Sequence, residues 1–178
     1  MRALVVYSSP EGWAKKISEN VARGCAKAGV AAEVQDLEER KGVENYPPFR
    51  SLHRKQKIEA PLRQYGIVFI GFEIGAFSES RKIFDFIESN DFAGRRVALF
   101  CSYEGKKSAM ERAAEMLAAR NAVVVNTISL RLRGMVRQHI DENDIVRADA
   151  FGERCCNTAL DRRIVKENRK AGIEGYRK

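Results

Sequence analysis

Short apolar runs alternate along the chain with longer segments whose apolar residues return every three or four positions. "RALVVYSS", with Leu4, Val5 and Val6 as a buried run, predicts a first strand. "EGWAKKISENVARGCAKAGV" predicts a helix with Ile17, Val21, Cys25 and Ala28 on one face and Gly29 as its stop. "AAEVQDL" predicts a short second strand. "YGIVFIGF" predicts a third, and its β-branched, unbroken apolarity implies burial on both faces. "FSESRKIFDFIESN" has helical spacing at Phe77, Ile83, Phe84 and Ile87. "RRVALFCSY" then reads as a strand, "GKKSAMERAAEMLAARN" as a helix and "AVVVNTISL" as a fifth strand. "DENDIVRADAFGERCCNTALDRRIVKENRK" closes the pattern as a helix running into a basic tail.

Strands that are apolar throughout and alternate with helices imply an α/β class, a parallel sheet covered on both sides. Residues 1–160 read as one domain and 161–178 as a basic tail or helix extension. The segment from Glu38 to Gln64 departs from the pattern. It has three prolines, many basic residues and little periodicity, and is too long for a plain connection. In such a sheet, ligands sit outside the carboxyl ends of the strands, near the reversal of strand order. Loops 8–14, 72–79 and 102–108 would meet there. The first leads directly into a helix, whose unpaired amides and positive dipole end suit an anion. Ser8, Ser9, Glu11, Gly12, Trp13 and Ala14 can all offer backbone N–H groups. Pro10 cannot, but suits a first helical position.

Composition narrows this picture. The chain has 178 residues, 44% apolar and 31% charged, which is a globular composition with room for a core. No apolar run approaches the ~18–20 residues of a membrane span, and the start of the chain does not read as a secretory signal, so a cytoplasmic location is expected. The formal charge of +8 favours acidic or anionic partners. The basic stretches "RSLHRKQK", "RLRGMVR" and "DRRIVKENRK" read first as solvated faces. As a patch they could dock an acidic redox protein or an anionic substrate. Nucleic acid is disfavoured, because no aromatic platform interleaves them. Cys25, Cys101, Cys155 and Cys156 lack zinc spacing and are expected as free thiols. His53 and His139 have no partners at metal spacing, so no metal site is expected. No GxxxxGK[ST] motif and no GxGxxG after the first strand are present, which disfavours nucleoside triphosphates and a conventional nicotinamide site.

Three stretches together resemble the flavodoxin-like family, over roughly Arg2 to Ala159. "VVYSSPEGWAKKIS" is similar to the family's strand and [TS]xTGxT phosphate loop. "YGIVFIGFEIGAFSESRKIFDFIE" and "RRVALFCSYEG" are similar to its third and fourth strands with their flavin loops. "DENDIVRADAFGE" looks like its last helix. "IGFEIGAF" and "FCSYEG" also resemble, more weakly, the menaquinone-dependent protoporphyrinogen oxidases of this family. The resemblance implies a three-layer sandwich with a five-stranded parallel sheet in the order 2-1-3-4-5, noncovalent FMN, and electron transfer or flavin-dependent oxidoreduction with a redox partner or small donor and acceptor. By position it assigns Ser8, Ser9, Glu11, Gly12, Trp13 and Ala14 to the phosphate. It assigns the loop of Phe72, Glu73, Ile74, Gly75, Ala76 and Phe77, and that of Ser102, Tyr103, Glu104 and Gly105, to the ring. No side chain stands out as a general acid or base. The oligomeric state is open, a homodimer included.

The phosphate loop departs from the family pattern at Glu11, Trp13 and Ala14, where two hydroxyls are missing and a carboxylate is added. A carboxylate ~4 Å from a phosphate costs about 4 kcal/mol per unit-charge pair at an effective dielectric near 20. Ser8-x-x-Glu11 also fits a capping box, in which Glu11 would satisfy donors a phosphate needs. A second reading therefore stands beside the first: a flavodoxin-fold binding protein that has lost FMN and engages an acidic partner through its basic face.

Overall fold

Five parallel strands form one sheet in the order β2-β1-β3-β4-β5. The structure, a computed structural model, describes residues 1–38, 60–74, 81–103, 108–133 and 139–161. The strands are β1 (Arg2–Ser8), β2 (Ala31–Asp36), β3 (Ile67–Ile74), β4 (Arg96–Tyr103) and β5 (Val123–Arg131). The helices are α1 (Trp13–Lys27), α2 (Arg81–Ser89), α3 (Ser108–Ala119) and α4 (Glu142–Leu160). This is the α/β architecture that the sequence pattern implied, in the strand order that the resemblance to the flavodoxin-like family implied. Among the described residues, no helix is long and apolar enough to cross a membrane.

The period of two along each strand sorts the core into two layers. Leu4, Val6, Val68, Ile70, Phe72, Ile74, Leu99 and Cys101 face α2 and α3. Ala3, Val5, Tyr7, Ile67, Phe69, Ala98 and Phe100 face α1 and α4. β3 lies at the centre, and all of its residues are buried. β2 and β5 are the sheet edges and keep more exposed positions. A register shift between Val97 and Ala98 inserts one residue into β5, since Val97 pairs with Val124 but Ala98 with Asn126.

Two details differ from expectation. α1 starts at Trp13 with Gly12 as its N-cap, so Pro10 lies in the preceding turn and not at the first helical position. Of the 38–64 excursion, Glu38 and the part from Ala60 on are described, and the latter forms a 3₁₀ turn at Leu62–Gln64. Residues 39–59, with His53, and residues 162–178 lie outside the described residues.

Candidate functional site

Strand order reverses between β2-β1 and β1-β3, so the head of α1 faces the switch point beyond the carboxyl ends of β1 and β3. The turn that leads there needs one unusual backbone conformation. Gly12 has φ 92°, in the left-handed region that glycine enters without a side-chain penalty. Its amide donates to the Ser9 carbonyl at 3.3 Å, and its own carbonyl accepts from the Lys16 amide at 3.2 Å. This closes the loop tightly and leaves the amides of Glu11 and Ala14 pointing inward.

Those amides are not free. The Glu11 amide donates to Oε2 of Glu73 at 2.8 Å, and the Ala14 amide donates to Oε1 at 2.9 Å. The Ser9 hydroxyl donates to the same Oε1 and in turn accepts from the Lys15 amide at 3.0 Å. A carboxylate from the end of β3 therefore sits in a three-donor cradle at a helix N-terminus. Glu73 is only 7% exposed, so these bonds replace most of its hydration. Hydrogen bonds to a charged acceptor are worth about 1.5–3 kcal/mol each, and the positive end of α1 adds to them. Glu73 thus holds the cradle by several kcal/mol in order of magnitude.

Strand alternation explains why Glu73 reaches the cradle and its neighbours do not. Ile67 and Phe69 face α1, and Glu73 lies on their side of β3. Phe72 and Ile74 belong to the opposite layer. Phe72 is fully buried there, tilted against Phe84 with ring centroids 6.5 Å apart.

The other singled-out residues fall as follows. Ser8 ends β1, and its hydroxyl donates to Oε1 of Glu38 at 2.5 Å. The other Glu38 oxygen accepts from Lys82. The capping box is absent: Ser8 belongs to the strand, α1 has no side-chain cap at Gly12, and Glu11 is exposed and supplies its amide only. Trp13 is half-buried against the α1/α4 layer, and Tyr103 against the α2/α3 layer. Ser102 pairs in register with Glu73, is fully buried, and its hydroxyl has no hydrogen-bond partner among the described residues. Gly75, Ala76, Phe77, Glu104 and Gly105 lie outside the described residues.

The residue that sequence reasoning missed in its actual role is Glu73. It stood among the ring-side residues, while Glu11 was the carboxylate expected to trouble the phosphate. The signal was present: Glu73 is the one charged residue in the apolar run "IVFIGFEI", at a position in phase with Ile67 and Phe69.

No family model and no curated protein matches the sequence. Solved structures do match it in shape. A flavodoxin from the domain Archaea aligns with a TM-score of 0.64 and 16% identity, covering 90% of this chain and all of that one. Oxidised flavodoxin 2 from Bacillus cereus gives 0.64 and 18%, covering 89% of this chain and 99% of that one. The flavodiiron protein from Giardia intestinalis gives 0.61 and 11%, covering 94% of this chain but 37% of that one. An undivided parallel sheet in this order, with two helices on each face, defines a protein of the flavodoxin-like fold.

The fold suggests FMN as cofactor, and the cradle tests that suggestion. Its donors suit a phosphoryl oxygen, but the Glu73 carboxylate already uses all three. A phosphate carrying about −1.5 to −2 charges cannot share that space with a carboxylate. In the arrangement described, the phosphate end of FMN does not fit.

Proposed function

We propose that this chain is a redox protein of the flavodoxin type that takes a flavin by its ring and not by a phosphate tail. The observation that carries the reading is the oxyanion cradle of Ser9, Glu11 and Ala14 at the switch point of the sheet, kept in shape and filled with an anion. The ring would lie toward the carboxyl ends of β3 and β4, near half-buried Trp13 and Tyr103. A bound flavin supplies one- and two-electron chemistry. The protein's share is to shape the crevice, to keep water from the ring and to dock a donor and an acceptor. FMN itself would enter only by displacing Glu73.

The second reading is a flavodoxin-fold protein without flavin, which engages an acidic partner through its basic surface. The charge of +8 favours it. One titration separates the two. Purified protein is mixed with riboflavin and, separately, with FMN, and flavin fluorescence and the absorbance band near ~450 nm are followed. Quenching with a shifted band for either flavin supports the redox reading. Unchanged spectra from folded protein with both flavins overturn it in favour of the second.

A further inference from the structure

We infer that Glu73 is the chain's own substitute for a ligand phosphate, and that it makes the crevice select ligands without an anionic tail. In flavin terms, which rest on the redox reading above, this means riboflavin over FMN. A phosphate bound at the head of a helix is held by amides and hydroxyls that converge on its oxygens. Here the convergent donors are the Glu11 and Ala14 amides and the Ser9 hydroxyl, and each already serves a Glu73 oxygen. The Ser9 hydroxyl also accepts from the Lys15 amide, so its single donor and one of its lone pairs are both in use.

Two further observations separate this arrangement from an ordinary capped helix. The occupant is not local: it comes from a strand 59 residues from Ala14 and 64 from Ser9, so the tertiary fold delivers it. The loop already supplies a local cap, since the Ser9 hydroxyl accepts from the Lys15 amide, yet a carboxylate from another strand takes the Glu11 and Ala14 amides. Next to Glu73 in register, Ser102 also keeps a buried hydroxyl without a partner among the described residues. A buried hydroxyl of this kind calls for a ligand group or a water.

The consequence for affinity is competitive. A phosphate-tailed ligand must first expel Glu73, and its apparent affinity falls by the fraction of time the cradle is open. A ligand without the phosphate does not meet that requirement. The test compares the wild type with Glu73→Ala and Glu73→Ser, both of which vacate the cradle, after circular dichroism has established that each is folded. Riboflavin and FMN are titrated by fluorescence quenching, and inorganic phosphate is titrated by thermal shift and ³¹P line broadening. The wild type is expected to bind riboflavin at least tenfold more tightly than FMN and to ignore millimolar phosphate. In the variants the ratio should move toward FMN by a hundredfold or more, and phosphate should raise the melting temperature.

A wild type that prefers FMN by tenfold overturns the inference, as does a ratio that the variants leave unchanged. If neither flavin binds any form, the redox reading fails and the phosphate arm decides alone. Phosphate binding gained by folded variants then upholds the role of Glu73, and its absence overturns it. If neither variant folds, the wild-type ratio decides, or in its absence a phosphate response of the wild type, which would overturn the inference.

Discussion

Gly24 of α1 lies directly against the backbone of Asp149 in α4: a Cβ on Gly24 would stand 2.0 Å from the Asp149 carbonyl oxygen. The contact is reciprocal. A Cβ on Gly152 would stand 2.2 Å from the Val21 carbonyl oxygen. The two helices thus meet through glycine on both sides, close enough for backbone to touch backbone. Two effects of opposite sign bear on Gly24→Ala. Helix propensity favours alanine by about 1 kcal/mol, whereas overpacking costs about 1–3 kcal/mol and sometimes more. The obstacle is a carbonyl fixed in a helix and cannot rotate aside, so overpacking wins. Gly24→Ala and Gly152→Ala should each lower stability by at least about 1 kcal/mol, read as a shift in urea midpoint. A gain in stability would show that the helices separate freely.

The side chain of Asp149 makes the same junction sensitive to pH. Its carboxylate lies 2.6 Å from Nε of Arg23 and 2.9 Å from Nζ of Lys27. Hydrogen bonds from Lys27, then from Arg23, hold its carboxyl below the usual range against the opposing effect of burial. A lowered folded-state value means that the unfolded chain binds the proton first. The stabilisation is present above the unfolded value near ~3.9 and is lost as pH falls through the folded one. Both cations are more than half exposed, at 57% and 54%, so the pair is worth about 1–2 kcal/mol at most. Asp149→Asn should therefore cost about 1–2 kcal/mol at pH 7 and progressively less below pH ~4, measured by urea unfolding at each pH.

How far the sequence disclosed these features depends on the range of the forces involved. The strands and helices follow from period, and period is local. β3 could be read from "YGIVFIGF" because a strand buried on both faces must be apolar throughout. Strand order followed from resemblance, since nothing in an apolar run names its neighbour. The α1 head was legible as an anion site, because Gly12 and the lone amides are local too. Its occupant was not. Glu11 stood two residues away in sequence and drew attention, whereas Glu73 arrives from another strand. Only the sheet register, which brings Ser8 opposite Phe72, places the next residue beside the cradle. The phase of Glu73 with Ile67 and Phe69 carries its face, but not what stands across from it. Phe72 is the same lesson in reverse: an aromatic at a strand end reads as a platform until alternation assigns it to the core.

The thiols give a prediction at the other end of the pH scale. Cys25, Cys101, Cys155 and Cys156 are all buried, and none is in a disulfide. Burial pushes the Cys155 thiol up to about 12, whereas in the hydrogen-bonded pair of Cys25 and Cys156 the first is raised and the second lowered, so that pair has no clear net sign. In the folded state Cys155 keeps its proton where the unfolded chain, near ~8.5, gives it up. The stability that Cys155 contributes is then complete below pH ~8.5 and declines as pH rises toward 12, by up to about 1.4 kcal/mol per pH unit. Cys155→Ala should flatten that decline, seen in urea midpoints between pH 8 and 10. At pH 7.5 the native protein should react with a thiol reagent at least a hundredfold more slowly than the unfolded chain. Rapid labelling of the native state would mean that the α1/α4 layer opens easily.

Phe72 separates a core role from a ring platform. Its ring is fully buried and packs on Phe84 in the layer formed with α2 and α3, opposite to the face that carries Glu73. Phe72→Ala should therefore cost about 3–5 kcal/mol, as large-to-small changes in a dense core do. Phe72→Leu should cost less, because most of the volume is kept. On the side of function, the folded fraction of Phe72→Leu should bind flavin within about twofold of the wild type, because a residue turned into the core has no face to offer a ring. Stability and ligand affinity are measured on the same preparations, by urea unfolding and by flavin fluorescence. Loss of flavin affinity at unchanged stability would return Phe72 to the crevice and contradict its place in the core.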